Sequence, residues 1–161
     1  MIGSSAKSRI EAVTVSFIRK CYLNENETNK KGMKEMINKV GQIMLYVTNQ
    51  EEVMRFWTEK IGFVVISEED NGQGMKWIEI APSKEAETSI ILHNKELIAK
   101  MQPELNLNTP SLMFFSDDLD KLYKDLSEKG ITVGEIVNMP SGRVFNFADI
   151  ENNYFAVMEK K

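Results

Sequence analysis

The sequence predicts an α+β fold built from two copies of one strand-helix-strand-strand-strand unit. The first observation is a recurrence, because Thr48 and Gly62 bracket one helical segment and Ser116 and Gly130 bracket another 68 residues later, each pair 14 residues apart. The second is that segments rich in β-branched and aromatic residues flank both helices, with turn-forming residues between them. Together these observations predict modules at about 37–94 and 108–160.

The first module opens with a strand predicted over Val40–Val47. Thr48-Asn49-Gln50-Glu51 has the Ser/Thr-x-x-Glu form of a capping box, so a helix is predicted to begin there, with Thr48 as its cap. Gly62 is the predicted C-cap. The residues expected to face inward from this helix are Val53, Met54, Phe56 and Trp57. Three further strands are predicted over Phe63–Ser67, Lys76–Ala81 and Thr88–His93.

The second module repeats this order. A strand is predicted over Ser111–Phe115, and Ser116 or Asp117 is expected to cap a helix that Gly130 ends. Between the modules, Lys95–Met101 is predicted to be helical and Pro103–Pro110 irregular. The three remaining strands are predicted over Ile131–Val137, Val144–Ala148 and Tyr154–Glu159.

Composition excludes several classes of protein. A chain of 161 residues with 42% apolar and 27% charged residues fits one globular domain. The single cysteine, Cys21, excludes an internal disulfide, and the single histidine, His93, leaves little material for zinc binding or for Ser-His and Cys-His catalysis. No apolar run is long enough to span a membrane, so a cytoplasmic location is expected.

Charge is unevenly distributed along the chain. The net charge is −4, and residues 1–32 carry +3, which leaves −7 on residues 33–161. An acidic body repels phosphate backbones, so nucleic acid is not an expected partner. Residues 24–32 form a polar run without apolar periodicity. Residues 1–32 are therefore predicted to be an N-terminal extension or linker, and residues 33–161 the domain.

Three sequence segments then carry a family resemblance. They are Gln42-Ile-Met-Leu-Tyr-Val-Thr48, Phe56-Trp-Thr-Glu-Lys-Ile-Gly-Phe63 and Gly142-Arg-Val-Phe-Asn-Phe-Ala-Asp149. With them the chain resembles the vicinal oxygen chelate superfamily of glyoxalases, bleomycin-resistance proteins and extradiol dioxygenases. The resemblance implies two βαβββ modules whose curled mixed sheet surrounds a shared cavity, with the helices on the convex face, and it implies homodimers.

Alternation along the strands suggests which side chains line that cavity. On the first strand, Ile43, Leu45 and Val47 face one way and are expected to pack against a helix, which leaves the other face for the cavity. The predicted lining residues are Gln42, Met44, Tyr46, Leu92, Ser111, Met113, Phe115 and Val157. Possible rim residues are Trp77, Glu79, His93 and Arg143.

The resemblance also implies four positions for a divalent metal's ligands, and these carry over to Gln42, Leu92, Ser111 and Val157. Leucine and valine cannot coordinate a metal and serine is a poor ligand, so no metal, cofactor or catalytic residue is predicted. One alternative is a register shift that turns His93 inward, where it joins Gln42 and a carboxylate such as Glu159.

The leading functional hypothesis is a protein that binds a small aromatic or apolar molecule without the family's metal, and that forms a homodimer. Two alternatives stay open. One is a metal-dependent lyase or dioxygenase of the same superfamily that uses His93, and the other is a structural or regulatory dimer with a vestigial cavity. The apolar residues of the N-terminal extension, among them Phe17 and Ile18, are expected to pack on the body or across the dimer interface.

Overall fold

The computed structural model describes residues 36–72 and 74–160, and the helices and strands of this part of the chain all belong to one compact unit, Lys39–Lys161. The N-terminal sheet contains β1 (Gln42–Val47), β2 (Val64–Asp70), β3 (Lys76–Ala81) and β4 (Ser89–Asn94). The C-terminal sheet contains β5 (Met113–Ser116), β6 (Val137–Met139), β7 (Gly142–Ala148) and β8 (Tyr154–Glu159). The predictions for Cys21 and for the packing of residues 1–32 lie outside the described residues.

Both sheets are mixed and have the same topology. Their strand orders are β1-β4-β3-β2 and β5-β8-β7-β6, in which the first pair is parallel and the others are antiparallel. Three helices accompany them in the described part of the chain: α1 (Gln50–Arg55, continued by a π-helix over Phe56–Ile61), α2 (Lys95–Met101) and α3 (Leu119–Glu128). The predicted α+β fold of two βαβββ modules is confirmed. None of these helices is long and apolar enough to cross a membrane.

One apolar core joins the helices to both sheets. The indole of Trp57, which is fully buried in the π-helical turn, has ring centroids of Phe63 and Phe155 at 4.8 and 5.0 Å. Phe114 and Phe147 follow at 5.7 and 5.9 Å. Since Phe114, Phe147 and Phe155 belong to the C-terminal sheet, Trp57 ties the first module to the second.

A polar contact also joins the modules at the start of α1. The N-cap is Asn49, whose side chain accepts a hydrogen bond from the Glu52 N–H, and not Thr48 as predicted. The Thr48 N–H instead donates to both carboxylate oxygens of Glu151, at 2.8 and 2.9 Å, and the Asn49 N–H donates to one of them at 2.8 Å. Glu151 thus connects the β7–β8 turn to the first module.

The β7–β8 turn itself is built around Asp149. This carboxylate is 5% exposed and accepts hydrogen bonds from the Glu151 and Asn153 N–H groups and from the Asn153 amide. Burial raises the pKa of Asp149. Asn152 adopts a φ of 60°, as expected for a residue that tolerates the left-handed conformation.

Two predicted elements of the second module differ from the structure. The strand expected over 131–137 is reduced to an isolated bridge at Val133 and the short strand β6, because Gly134 interrupts the segment with a residue that has no side chain to pack. The N-cap of α3 is Asp118, whose carboxylate accepts from the Lys121 N–H, whereas Ser116 or Asp117 was predicted.

Candidate functional site

Each sheet has one face covered by helices and one that points away from them, which we call the distal face. Leu45, Val47 and Leu92 belong to the core cluster that includes helix residues, so these positions define the helix-covered side of the N-terminal sheet. Strand pairing then places the other parity on the distal face. Its rows across the sheet are Tyr46, His93, Trp77 and Glu69, then Met44, Ile91, Glu79 and Ser67, then Gln42 and Ser89.

A hydrogen-bond network occupies the centre of this distal face. Glu79 accepts from Ser89 Oγ at 2.6 Å and from Gln42 Nε2 at 3.3 Å through one carboxylate oxygen, and from Ser67 Oγ at 3.2 Å through the other. The donors come from β4, β1 and β2, so the carboxylate is held from three neighbouring strands. Sequence alternation gave Glu79 only as a rim residue, and the structure places it centrally.

An aromatic row borders the network. The rings of Tyr46 and His93 stack with centroids 6.0 Å apart and an interplanar angle of 24°, and Trp77 is the strand partner of His93 on the other side. Burial lowers the pKa of His93 to about 4 and raises the pKa of Tyr46. Both side chains are therefore uncharged near neutral pH.

The distal face of the C-terminal sheet is apolar and exposed. Met113 and Phe115 on β5 are 48% and 66% exposed, and Tyr154 on β8 is 60% exposed. Val137 and Met139 on β6 lie on the same face by register, at 54% and 50%. Such a run of exposed large apolar side chains marks a surface that binds something.

The register corrects part of the predicted lining. Gln42, Met44, Tyr46, Met113 and Phe115 lie on the distal faces. Leu92 and Val157 do not, because they pair with Leu45 and Phe114 and are buried in the helix-covered core at 0% and 3% exposure. Ser111 is exposed and precedes β5. In their places the distal faces carry Ile91 on β4, and Ala156 and Met158 on β8.

The four possible rim residues separate in the same way. Trp77, Glu79 and His93 lie on the distal face, whereas Arg143 lies on the helix-covered side of the C-terminal sheet. Both Nη atoms of Arg143 donate to Asp120 of α3 at 2.9 Å, and its guanidinium also donates to Glu159 at 2.6 and 3.0 Å. These bonds lower the pKa of Asp120 and of Glu159, so Glu159 is an ion-pair partner remote from His93.

The donor set does not fit the divalent metal that the resemblance implies. Of the four carried-over positions, Leu92 and Val157 offer no donor atom and point into the core, and their distal-face neighbours Ile91, Ala156 and Met158 offer no better set. Within residues 36–72 and 74–160, no three histidine, cysteine, aspartate or glutamate side chains are grouped closely enough to hold a metal ion.

Comparisons with known proteins agree with this architecture. A model of the Glyoxalase/Bleomycin resistance protein/Dioxygenase superfamily matches residues 39–157. The protein YetH of Bacillus subtilis (strain 168) is 31% identical over 125 residues, which are 77% of this chain and 100% of YetH.

Two crystal structures are similar in fold. TnmS3, an antibiotic binding protein from Streptomyces sp. CB03234, superposes with a TM-score of 0.67 and 26% identity over 80% of this chain and 100% of its own. A superfamily member from Sphaerobacter thermophilus DSM 20745 also gives 0.67, with 24% identity over 78% of this chain and 100% of its own. Since the family model spans most of the chain, the protein belongs to the glyoxalase/bleomycin resistance protein/dioxygenase superfamily.

Proposed function

We propose that this protein binds a small, largely aromatic or apolar molecule on its distal faces, without the divalent metal of its enzymatic relatives. The observation that carries the proposal is the exposed apolar surface of the C-terminal sheet, where Phe115 is 66%, Tyr154 60% and Met113 48% exposed. Leaving such side chains in water forgoes about 25 cal/mol for each Å² of apolar area, which a ligand recovers on binding.

The N-terminal sheet supports the same function with different chemistry. Met44 and Tyr46 are half-buried beside Gln42, so this face combines an adaptable thioether with a ring and a neutral hydrogen-bonding amide. A face of this kind orients a ligand by shape and hydrogen bonds. The likeness to TnmS3, described as an antibiotic binding protein, adds support from a relative at 26% identity.

A homodimer is part of the proposal. The distal faces belong to two separate four-stranded sheets, and β5 and β6 are edge strands of the C-terminal sheet whose outer sides have no strand partner among the described residues. A second copy that covers this apolar face and these edges removes both from water. A cytoplasmic location stays a prediction from composition.

The metal-dependent alternative draws on one observation, which is that His93 lies on the distal face with a neutral imidazole, the form that binds metals. A His93→Ala variant separates the hypotheses. It leaves ligand binding by a binding protein unchanged within about two-fold, whereas a lyase or dioxygenase loses metal and turnover with it. A structural dimer with a vestigial cavity binds no small molecule in either form.

The proposal is tested by a thermal-shift screen of aromatic metabolites and antibiotics against the full chain. A ligand present at about 100 times its Kd raises stability by about 2.7 kcal/mol and Tm by about 5–10 °C. Compounds that stabilise the protein are then titrated by calorimetry against Phe115→Ser and against Leu105→Ser, a control in a loop outside the sheets where Leu105 is 39% exposed. We expect only Phe115→Ser to weaken binding. Equal affinities in both variants, or a screen without any stabilising compound, contradict the proposal.

A further inference from the structure

A carboxylate at the centre of the N-terminal distal face is held by neutral groups alone. Glu79 accepts hydrogen bonds from two serine hydroxyls and one glutamine amide, and Ser89, the closest donor at 2.6 Å, is only 7% exposed. Between residues 36 and 160, position 73 apart, no lysine or arginine forms an ion pair with Glu79. Half-buried carboxylates usually have a cationic partner, so this arrangement requires an explanation.

The cations of both sheets are engaged on the opposite side. Lys76, on the same strand as Glu79, has the other parity and forms ion pairs with Glu51 of α1 and with Glu68, the latter at 3.0 Å. Arg143 is held between α3 and β8 in the same way. Neither cation is available to neutralise a charge on the distal face.

The groups beside Glu79 on the distal face do not neutralise it either. His93 is the nearest basic side chain by register, and burial lowers its pKa to about 4, so it carries no charge near neutral pH. Tyr46 is uncharged as well, and the same row ends in Glu69, a second carboxylate. Around this face the body of the protein, residues 33–161, carries a formal charge of −7.

We infer that the N-terminal distal face selects an aromatic cation, whose positive group contacts the Glu79 carboxylate while its ring lies along the row of Tyr46, His93 and Trp77. This inference rests on the proposed function and names the ligand class. A neutral ring gains the aromatic contacts only, and an anionic ring meets the carboxylate unfavourably. A cation gains both the charge-assisted contact and the aromatic row. The acidic body adds long-range attraction, which raises the association rate.

The test compares two probes of the same shape and different charge, 10-methylacridinium and neutral acridine, at pH 7.5 and moderate salt. Binding to the full chain is measured by fluorescence titration. Three variants are made: Glu79→Gln removes the charge and keeps an acceptor oxygen, Glu79→Asp keeps the charge, and Glu59→Gln removes the same charge from the π-helical turn following α1. Thermal melting of each variant confirms folding.

We expect the wild-type protein to bind the cation about ten-fold more tightly than acridine. Glu79→Gln removes this preference and leaves the affinity for acridine within about two-fold, while Glu79→Asp and Glu59→Gln retain the preference. Equal affinity of the wild-type protein for both probes overturns the inference but not the proposed function, and this comparison needs no variant. A preference lost equally in Glu59→Gln assigns it to general surface charge and also overturns the inference. If neither probe binds, both the inference and the proposed binding of aromatic molecules at this face are contradicted.

Discussion

The pKa of His93 makes the stability of this protein depend on pH in a defined direction. Burial lowers that pKa from 6.5 to about 4 in the folded protein. On acidification the unfolded chain therefore takes up a proton at this residue before the folded chain does. The stabilising contribution of neutral His93 is fully present above about pH 6.5 and is lost as the pH falls towards about 4.

The size of the effect follows from the two pKa values. A difference of about 2.5 pKa units corresponds to about 3 kcal/mol when the titration is complete. Between pH 7 and pH 5, where the unfolded chain is titrating and the folded chain is not, linkage gives a loss of about 2 kcal/mol. This is a large fraction of the stability of an ordinary domain, about 5–15 kcal/mol.

Urea unfolding of the wild-type protein and of His93→Gln at pH 7 and at pH 5 measures this contribution. The carboxylates with shifted pKa values, Asp149, Asp120 and Glu159, are common to both proteins, so their effects cancel in the comparison. We expect the wild-type protein to lose about 2 kcal/mol more than the variant over this range. Parallel losses in the two proteins refute a buried, neutral His93.

Three further variants test how the modules are held together, with urea unfolding at pH 7 as the measurement. Glu151→Ala removes the acceptor of the backbone hydrogen bonds from Thr48 and Asn49, and we expect a loss of about 2 kcal/mol; an unchanged stability means that the contact is replaced by water. Trp57→Ala empties the centre of the core and is expected to cost about 4 kcal/mol, so a loss below about 1 kcal/mol contradicts its position there. Asn152→Ala is expected to cost about 1 kcal/mol at a φ of 60° while Asn152→Gly costs nothing, and equal effects of the two argue against the left-handed conformation.

The order of the elements was predictable because their boundaries carry strong local signals. Gly62 adopts a φ of 94° and closes the first helical segment as expected, and the helix predicted over Lys95–Met101 has those bounds in the structure. The repeated cap-to-glycine spacing placed both modules in sequence. Cap positions differed by one or two residues, because neighbouring Thr, Asn, Ser and Asp side chains are all competent caps.

The faces of the inner strands were harder to predict for a physical reason. Ile90-Ile91-Leu92 and Ala156-Val157-Met158 are apolar without alternation, so nothing in those residues tells one face from the other. Pairing with β1 and β5 decides it, and it turns Leu92 and Val157 into the core. The network at Glu79 depends on the same pairings and was not visible in the sequence.

The central claim, that a small molecule binds on the distal faces, is tested most directly by NMR of protein labelled with 13C at the methionine methyl groups. Met44 and Met113 lie on the distal faces, and Met54 of α1 packs against the helix-covered core and serves as the internal control. Titration with the most stabilising compound of the thermal-shift screen is expected to shift the Met44 or Met113 resonance, or both, and to leave that of Met54 in place. A shift at Met54 alone, or at none of the three methyl groups, contradicts the account.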